Sequence, residues 1–269
     1  MIIDSFMFFN EFDILEMRLM ELGDVVDHFI IVEADVDHQD HPKPYHLSDY
    51  IANGGERFNR WVDKMAIVRA TGLPTAAEFP DSWAREHAQR ECIAAGLADI
   101  NAAANDTLMQ SDVDEIPRAI VVRNLRPGGR LIVIGMRGHF WAVDWFYPIK
   151  WCGTVVGTVA TVMASHPRMP FTHMRDVRTT AHCPIPDGGW HFSWLGGPEL
   201  AAEKLGAFCH PEVADRISAG ISDGLSFWRD GVHSDGVKME PIDIDAGWPE
   251  FITAGHCPDT WFRPRKATT

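Results

Sequence analysis

Residues Phe29-Ile30-Ile31-Val32 follow one another without a polar residue between them. A strand with one wet face alternates apolar and polar side chains. An unbroken apolar run of strand length marks a strand covered on both faces, the usual condition of a parallel sheet layered by helices. The neighbouring sequence supplies the other pieces of such a sheet. Residues 2–9 form a second apolar run, and Phe12, Leu15, Leu19 and Leu22 make a helical stripe that Gly23 can close. Residues 64–70 read as a third strand. Asp81 or Ser82 reads as the cap of a helix reaching Leu97, Leu108-Met109 as a fourth strand, and Pro117 as the opening of a short helix. This β-α-β order predicts an α/β fold whose central sheet is mostly parallel and flanked by helices.

After Pro127-Gly128-Gly129 the pattern changes. Residues 130–147 are rich in β-formers and aromatics, and 151–163 add Val155, Val156, Val159 and Val162, which predicts an antiparallel-rich second half. Helical patterning returns at 199–208 and 211–221. From Lys238 onward proline, glycine and aspartate predict a tail that wraps the surface. The expected organisation is one domain over 1–237, with a nucleotide-type first half (1–125) and an acceptor-type second half (126–237), followed by the tail 238–269.

Residues 107–115, Thr-Leu-Met-Gln-Ser-Asp-Val-Asp-Glu, carry the strongest chemical signal. Side chains alternate along a strand, so Asp112 and Asp114 are expected on one side of a strand end, where two carboxylates can share a hard divalent cation. Such an ion keeps open positions for phosphate oxygens. The competing reading is a polar turn, with Asp112 as a cap and Glu115 as its capping-box partner. Ligands of open parallel sheets sit beyond the carboxyl ends of the strands. Asn10 and Glu11, Glu33 and Asp35, and the two aspartates are therefore expected to line one crevice.

Arg85 and Arg90, on the helix through Trp83-Ala84-Arg85-Glu86, are candidates for phosphate recognition or, equally, parts of a solvated ion-paired face. In the run 188–199, paired glycines flank Trp190 and Trp194, either of which can stack on a sugar or fill a core. Glu199 behind them is a candidate general base, and His210 a candidate late metal ligand. His38, His41 and His46 fit no zinc spacing and read as a polar loop.

The charge balance narrows the partners. Against 38 acidic residues stand 24 basic ones, a net charge of −14, which argues against nucleic acid or an anionic membrane. The five cysteines are odd in number and lack any C-x-x-C pair, so no disulfide framework is expected and a reducing compartment fits. No apolar run approaches the ~18 residues of a membrane span. The N-terminus carries Asp4 and lacks a basic stretch, so the protein is expected to be cytoplasmic.

In combination these segments resemble glycosyltransferase family 17. The resemblance rests on Asp4-Ser5-Phe6-Met7-Phe8-Phe9-Asn10-Glu11 with Leu15-Glu16-Met17-Arg18-Leu19, on residues 25–33, and on His41-Pro42-Lys43-Pro44. It continues through Trp83-Ala84-Arg85-Glu86 with Gln89-Arg90, Ser111-Asp112-Val113-Asp114-Glu115-Ile116-Pro117, and Gly188-Gly189-Trp190-His191-Phe192-Ser193. It implies a GT-A fold, a UDP-sugar donor such as UDP-N-acetylglucosamine, Mn²⁺ or Mg²⁺ at Asp112 and Asp114, a carbohydrate acceptor and inversion at the anomeric carbon. On that reading Asn10, Glu11, Glu33, Arg85, Arg90 and Asp112 bind the donor, Glu199 is the base and His210 completes the metal site. Animal members carry a membrane anchor that is not expected here, and their acceptor is not carried over. Two rivals remain. One is a non-catalytic nucleotide- or glycan-binding protein. The other is a nucleotidyltransferase, which would need a glycine-rich basic loop where Phe8-Phe9-Asn10-Glu11 stands.

Overall fold

The computed structural model describes residues 1–180, 185–207, 218 and 229–263. Its first half is the expected alternation: β1 (Ile2–Met7), α1 (Phe12–Leu22), β2 (His28–Ala34), α2 (His46–Ala52), β3 (Met65–Ala70), α3 (Trp83–Glu91), α4 (Ile93–Asp99) and β4 (Thr107–Gln110). Then come β5 (Glu115–Pro117), α5 (Ala119–Asn124), β6 (Ile132–Phe140), β7 (Trp145–Thr158), α6 (Val159–Ser165), α7 (Pro170–Thr180), β8 (Gly189–Ser193), α8 (Pro198–Ala207) and β9 (Glu240–Pro241). One mixed sheet runs β3-β2-β1-β4-β7-β6-β8-β5, with β9 on β7. β3, β2, β1 and β4 are mutually parallel; β7 enters antiparallel between β4 and β6, and β8 lies parallel to β6.

The apolar run of β2 is buried on both faces, as its composition requires. Phe29 and Ile31 join a core with Phe6, Met109 and the inner face of α1. Ile30 and Val32 join a second core with Ile93 and Leu97 of α4 and with Phe171 and Met174 of α7. The sheet is thus layered by helices, the architecture expected for this chain.

Several local expectations need correction. Pro117 ends β5 and does not open a helix; α5 starts two residues later. The helix expected to reach Leu97 breaks at Cys92, where Cys92 N–H bonds Gln89 O and Ala95 N–H bonds Cys92 O in one tight turn. Gly23 closes α1 with ordinary helical dihedrals; a Cβ there would stand 2.5 Å from Trp61 Nε1, so the glycine serves close packing. Residues 159–180, read from sequence as strand and loop, hold α6 and α7. The tail is not only a surface wrap. Trp248, Phe251, Ile252 and Trp261 are buried in the main core, and Glu250–Thr253 packs against α1. Cys152 is disulfide-bonded in a chain for which no disulfide framework was expected, whereas Cys92 and Cys257 are free. Among the described residues no helix is long and apolar enough to cross a membrane.

Candidate active site

A cavity of about 370 Å³ opens beyond the carboxyl ends of β1 and β4, where a parallel sheet presents its ligand crevice. Its lining includes Glu11, Lys43, Asp112, Asp114, Arg175, Arg178, His191, Trp194, Lys204 and His233.

The segment carrying Asp112 and Asp114 is a turn between β4 and β5, not a strand end. Glu115 N–H bonds Asp112 O at 3.0 Å, and Glu115 Oε2 accepts the Asp112 N–H at 3.1 Å. Only the Glu115 half of the D-x-x-E capping box forms: the Glu115 N–H goes to the Asp112 carbonyl, not to its side chain, and no helix follows. Arg18 on α1 sets the turn's shape. Its guanidinium donates to the carbonyls of Asp112, Val113 and Glu115 at 2.9–3.1 Å and to Ser111 Oγ at 2.7 Å. It also holds Asp4 in a bidentate pair at 2.7 and 2.8 Å, with both side chains wholly buried.

Each aspartate faces cations. Asp112 Oδ1 accepts from Arg90 at 3.0 Å, and Oδ2 lies 3.4 Å from Arg178 and 3.8 Å from Arg175. Burial alone would raise this carboxyl, but Arg175, Arg178 and Arg90 outweigh it and hold Asp112 well below the usual carboxylate range. Arg178 also pairs with the wholly buried Glu115, which accepts the Trp151 indole N–H at 2.8 Å. Asp114 Oδ2 lies 3.2 Å from Lys204 Nζ and its Oδ1 3.6 Å from His191 Nε2. Burial pulls Lys204 down, yet Asp114 and Glu11 together raise its pKa. Burial lowers His191 against the pull of Asp114 and Glu115, so its ring is neutral, stacked on Trp151 at 4.2 Å. Buried nitrogens of Arg90 (Nε, Nη1), Arg175 (Nε) and His191 (Nδ1), and Glu86 Oε2, have no hydrogen-bond partner among the described residues. Native structures rarely leave such groups unsatisfied, and their clustering here points to a polar, anionic ligand or ordered water.

Not every residue expected in the crevice reaches it. Glu11 does, and its carboxylate also accepts the Phe9 and Asn10 N–H groups. Asn10 lies beside the cavity and bonds Glu203 of α8 at 2.6 Å. Glu33 is wholly buried and caps α2 through Leu47 N–H, Ser48 N–H and Ser48 Oγ, so it is not part of a nucleoside pocket. Arg85 is spent on the carbonyls of His38 and Phe79, which leaves no fork for phosphate. Arg90 sits behind the cavity wall and acts through Asp112. Trp190 is core, 2% exposed beneath Arg118, while Trp194 lines the cavity and stacks on Trp141. The His38 loop is polar as expected: Asp37 binds the Gln39 and His41 N–H groups. Glu199 stands in the first turn of α8, but its side chain lies outside what is described, as does His210 altogether.

The arginines of α7, Lys204, His191 and His233 were not singled out from sequence. Phe171 and Met174, three apart with Arg175 and Arg178 following, are the helical signal that marks α7.

A divalent ion has limited room in this donor set. Both oxygens of Asp112 face guanidinium groups, which makes it the anchor of an arginine cluster. Asp114 is the carboxylate that fits, with Lys204 on its flexible stem giving way. No group of three or more His, Cys, Asp or Glu side chains that could hold a metal occurs among the described residues. An ion here would take its other ligands from substrate phosphate, the usual arrangement for Mg²⁺ in phosphate sites.

The family model of glycosyltransferase family 17 matches residues 1–220. The chain belongs to glycosyltransferase family 17. Among curated proteins it is similar to the β-1,4-mannosyl-glycoprotein 4-β-N-acetylglucosaminyltransferases of Homo sapiens (25% identity over 221 residues) and Mus musculus (28% over 220 residues). Each match covers 73% of this chain, and the chain spans about two fifths of the length of those relatives (41% and 40%). Among solved structures, 4-diphosphocytidyl-2C-methyl-D-erythritol synthase matches with a TM-score of 0.41 and 12% identity, over 75% of this chain and 95% of its own. As a family 17 chain, the protein places its Asp112–Asp114 turn, its α7 arginines and Lys204 around one cavity.

Proposed function

We propose that this family 17 chain transfers a sugar from a nucleoside-diphosphate sugar to a carbohydrate hydroxyl, with inversion in a single displacement. The observation that carries the proposal is the meeting of the Asp112–Asp114 turn with Arg175, Arg178 and Lys204 in one cavity. The departing diphosphate accumulates negative charge, and fixed cations in a partly dry cavity stabilise that charge without reorganising. Arg175 and Arg178, held by Asp112, face the diphosphate, and Lys204 adds a mobile cation. Trp194 and Trp151 offer flat surfaces to sugar or base rings. UDP-N-acetylglucosamine is the proposed donor, since the curated relatives are named N-acetylglucosaminyltransferases. Mn²⁺ or Mg²⁺ is proposed at Asp114, where it would neutralise diphosphate charge.

The test is thermal unfolding and UDP release with UDP and UDP-N-acetylglucosamine, each with and without Mn²⁺. A ligand at ~100 times its dissociation constant adds about 2.7 kcal/mol of stability. The expected outcome is a rise in Tm with UDP that is lost in Arg175→Ala/Arg178→Ala, together with slow UDP release from the sugar nucleotide. A shift that needs Mn²⁺ and disappears in Asp114→Asn supports the metal site; a shift independent of Mn²⁺ assigns the phosphate charge to the arginines and Lys204. Binding without sugar turnover, with or without added oligosaccharide acceptors, would favour a non-catalytic binding protein.

A further inference from the structure

The hairpin at residues 232–238 places an imidazole in the cavity wall with unusual care. Val232 and Lys238 form a β-bridge, His233 N–H bonds Val237 O, and Gly236 N–H bonds His233 O. Gly231, at φ +66°, packs under the Trp145 ring, where a Cβ would stand 2.6 Å away. The His233 ring packs against both Phe140, at 4.4 Å, and Tyr147, at 4.6 Å. Its Nδ1 is 2.8 Å from Asp235 Oδ1 and 3.4 Å from the Asp235 backbone N–H. Asp235 is itself fixed by the Tyr147 hydroxyl at 2.6 Å and the Val237 N–H at 2.9 Å. Burial raises this carboxyl, but the bonds from Tyr147, Val237 and His233 outweigh it, so Asp235 is ionised.

The carboxylate at 2.8 Å outweighs the long 3.4 Å approach of the Asp235 N–H, so it favours the tautomer with the proton on Nδ1 and leaves the Nε2 lone pair available. Nε2 of His233 has no hydrogen-bond partner among the described residues, and the residue lines the same cavity as Asp114, Lys204 and Trp194. A histidine needed only for packing requires neither a fixed tautomer nor a position in the cavity wall. We propose that His233, oriented by Asp235, is the general base that deprotonates the acceptor hydroxyl, the role sequence reasoning gave to Glu199. This assignment rests on the glycosyl-transfer reading. The acceptor O–H proton passes to Nε2 as its oxygen bonds the anomeric carbon. The bond from that carbon to the phosphate oxygen breaks, and its electron pair leaves with the nucleoside diphosphate. Asp235 then balances the imidazolium until solvent takes the proton. His233 is the catalytic residue in this scheme, and Asp235 positions it.

The test uses the full chain, UDP affinity by thermal shift, and UDP release from UDP-N-acetylglucosamine with water as acceptor. A positioned general base contributes roughly 10²–10⁴-fold to such a step. His233→Asn is expected to lose at least a hundredfold in kcat with UDP affinity changed less than threefold. Its pH–rate profile should also lose the acid limb. The groups facing the ring, Asp235, Tyr147 and, across Phe140, His191, remain in place. Added imidazole should restore part of the rate of His233→Ala, and Asp235→Asn should show a smaller loss with a displaced acid limb. A Glu199→Gln variant that loses the acid limb while His233→Asn keeps it would overturn the assignment. So would His233→Asn retaining more than a third of the rate with UDP bound. Wild-type protein that neither binds UDP nor releases it would sink the glycosyl-transfer reading, and this role with it.

Discussion

Arg18 shows how much of the site depends on one side chain that touches no substrate. Its guanidinium is shared between the buried Asp4 carboxylate and the backbone of the turn that carries Asp112 and Asp114. Removing it strands a carboxylate in a dry interior, which costs about 3–5 kcal/mol. Urea unfolding of Arg18→Met should show a loss of that order, and Asp4→Asn/Arg18→Met should recover part of it by removing the uncompensated charge. Equal losses in the two variants would mean that the carbonyl bonds dominate. The sequence announces Asp112 and Asp114 but hides their setting. Alternation along a strand was the expected reason for their shared location; the cause is a turn whose curvature comes from an arginine almost a hundred residues upstream. Glu33 and Arg85 fail as site residues for a related reason. Glu33 is taken up by Leu47 and Ser48, and Arg85 in part by the His38 carbonyl, partners 14, 15 and 47 residues away of which local spacing carries no record.

The helices show the same contrast at the level of elements. Strands β1, β2 and β4 and helix α1 were legible because burial imposes uniform or 3.6-residue patterns on them. α6 was not, because Val159, Thr161 and Val162 are β-branched residues that local preference assigns to strands. Packing against β7 and α7 overrides that preference. With α6 and α7 unread, the second pair of arginines was unread as well. Two helical glycines offer a test of packing against propensity. A Cβ on Gly96 of α4 would stand 2.3 Å from the Ile30 Cγ2 of β2, whereas one on Gly206 of α8 meets nothing within 4 Å. Gly96→Ala is expected to destabilise by about 1–3 kcal/mol through overpacking. Gly206→Ala is expected to stabilise by about 0.4–1 kcal/mol through the unfolded chain. Chemical denaturation checks both, and two changes of the same sign would refute the packing argument.

Across the whole molecule, the tail joins the two ends of the chain into one core. Trp248, Phe251, Ile252 and Trp261 complete the cluster that holds Leu15, Leu19 and Leu22 of α1, and Arg263 pairs with Asp144 at 2.8 Å. Ending the chain at residue 237 should therefore do more than shorten it. The expected product keeps far-UV helical signal, loses near-UV signal and binds ANS, the marks of a collapsed state without fixed packing. A truncated protein with a sharp, cooperative melt would show the tail to be dispensable. The proline- and glycine-rich composition of this segment was legible as irregular backbone, but its tryptophans gave no sign of which surface they would enter.

That closure has a cost in time. α1 emerges during translation about 230 residues ahead of Glu250–Thr253, which packs on it. At roughly 5–20 residues per second, the surface of α1 that this segment covers waits about ten to forty-five seconds for it. Through that interval the surface of α1 on which Glu250–Thr253 packs stays open, and a chaperone or a second nascent chain can engage it. The yield of this protein should therefore depend on elongation rate and on the supply of chaperones as much as on the stability of the finished fold.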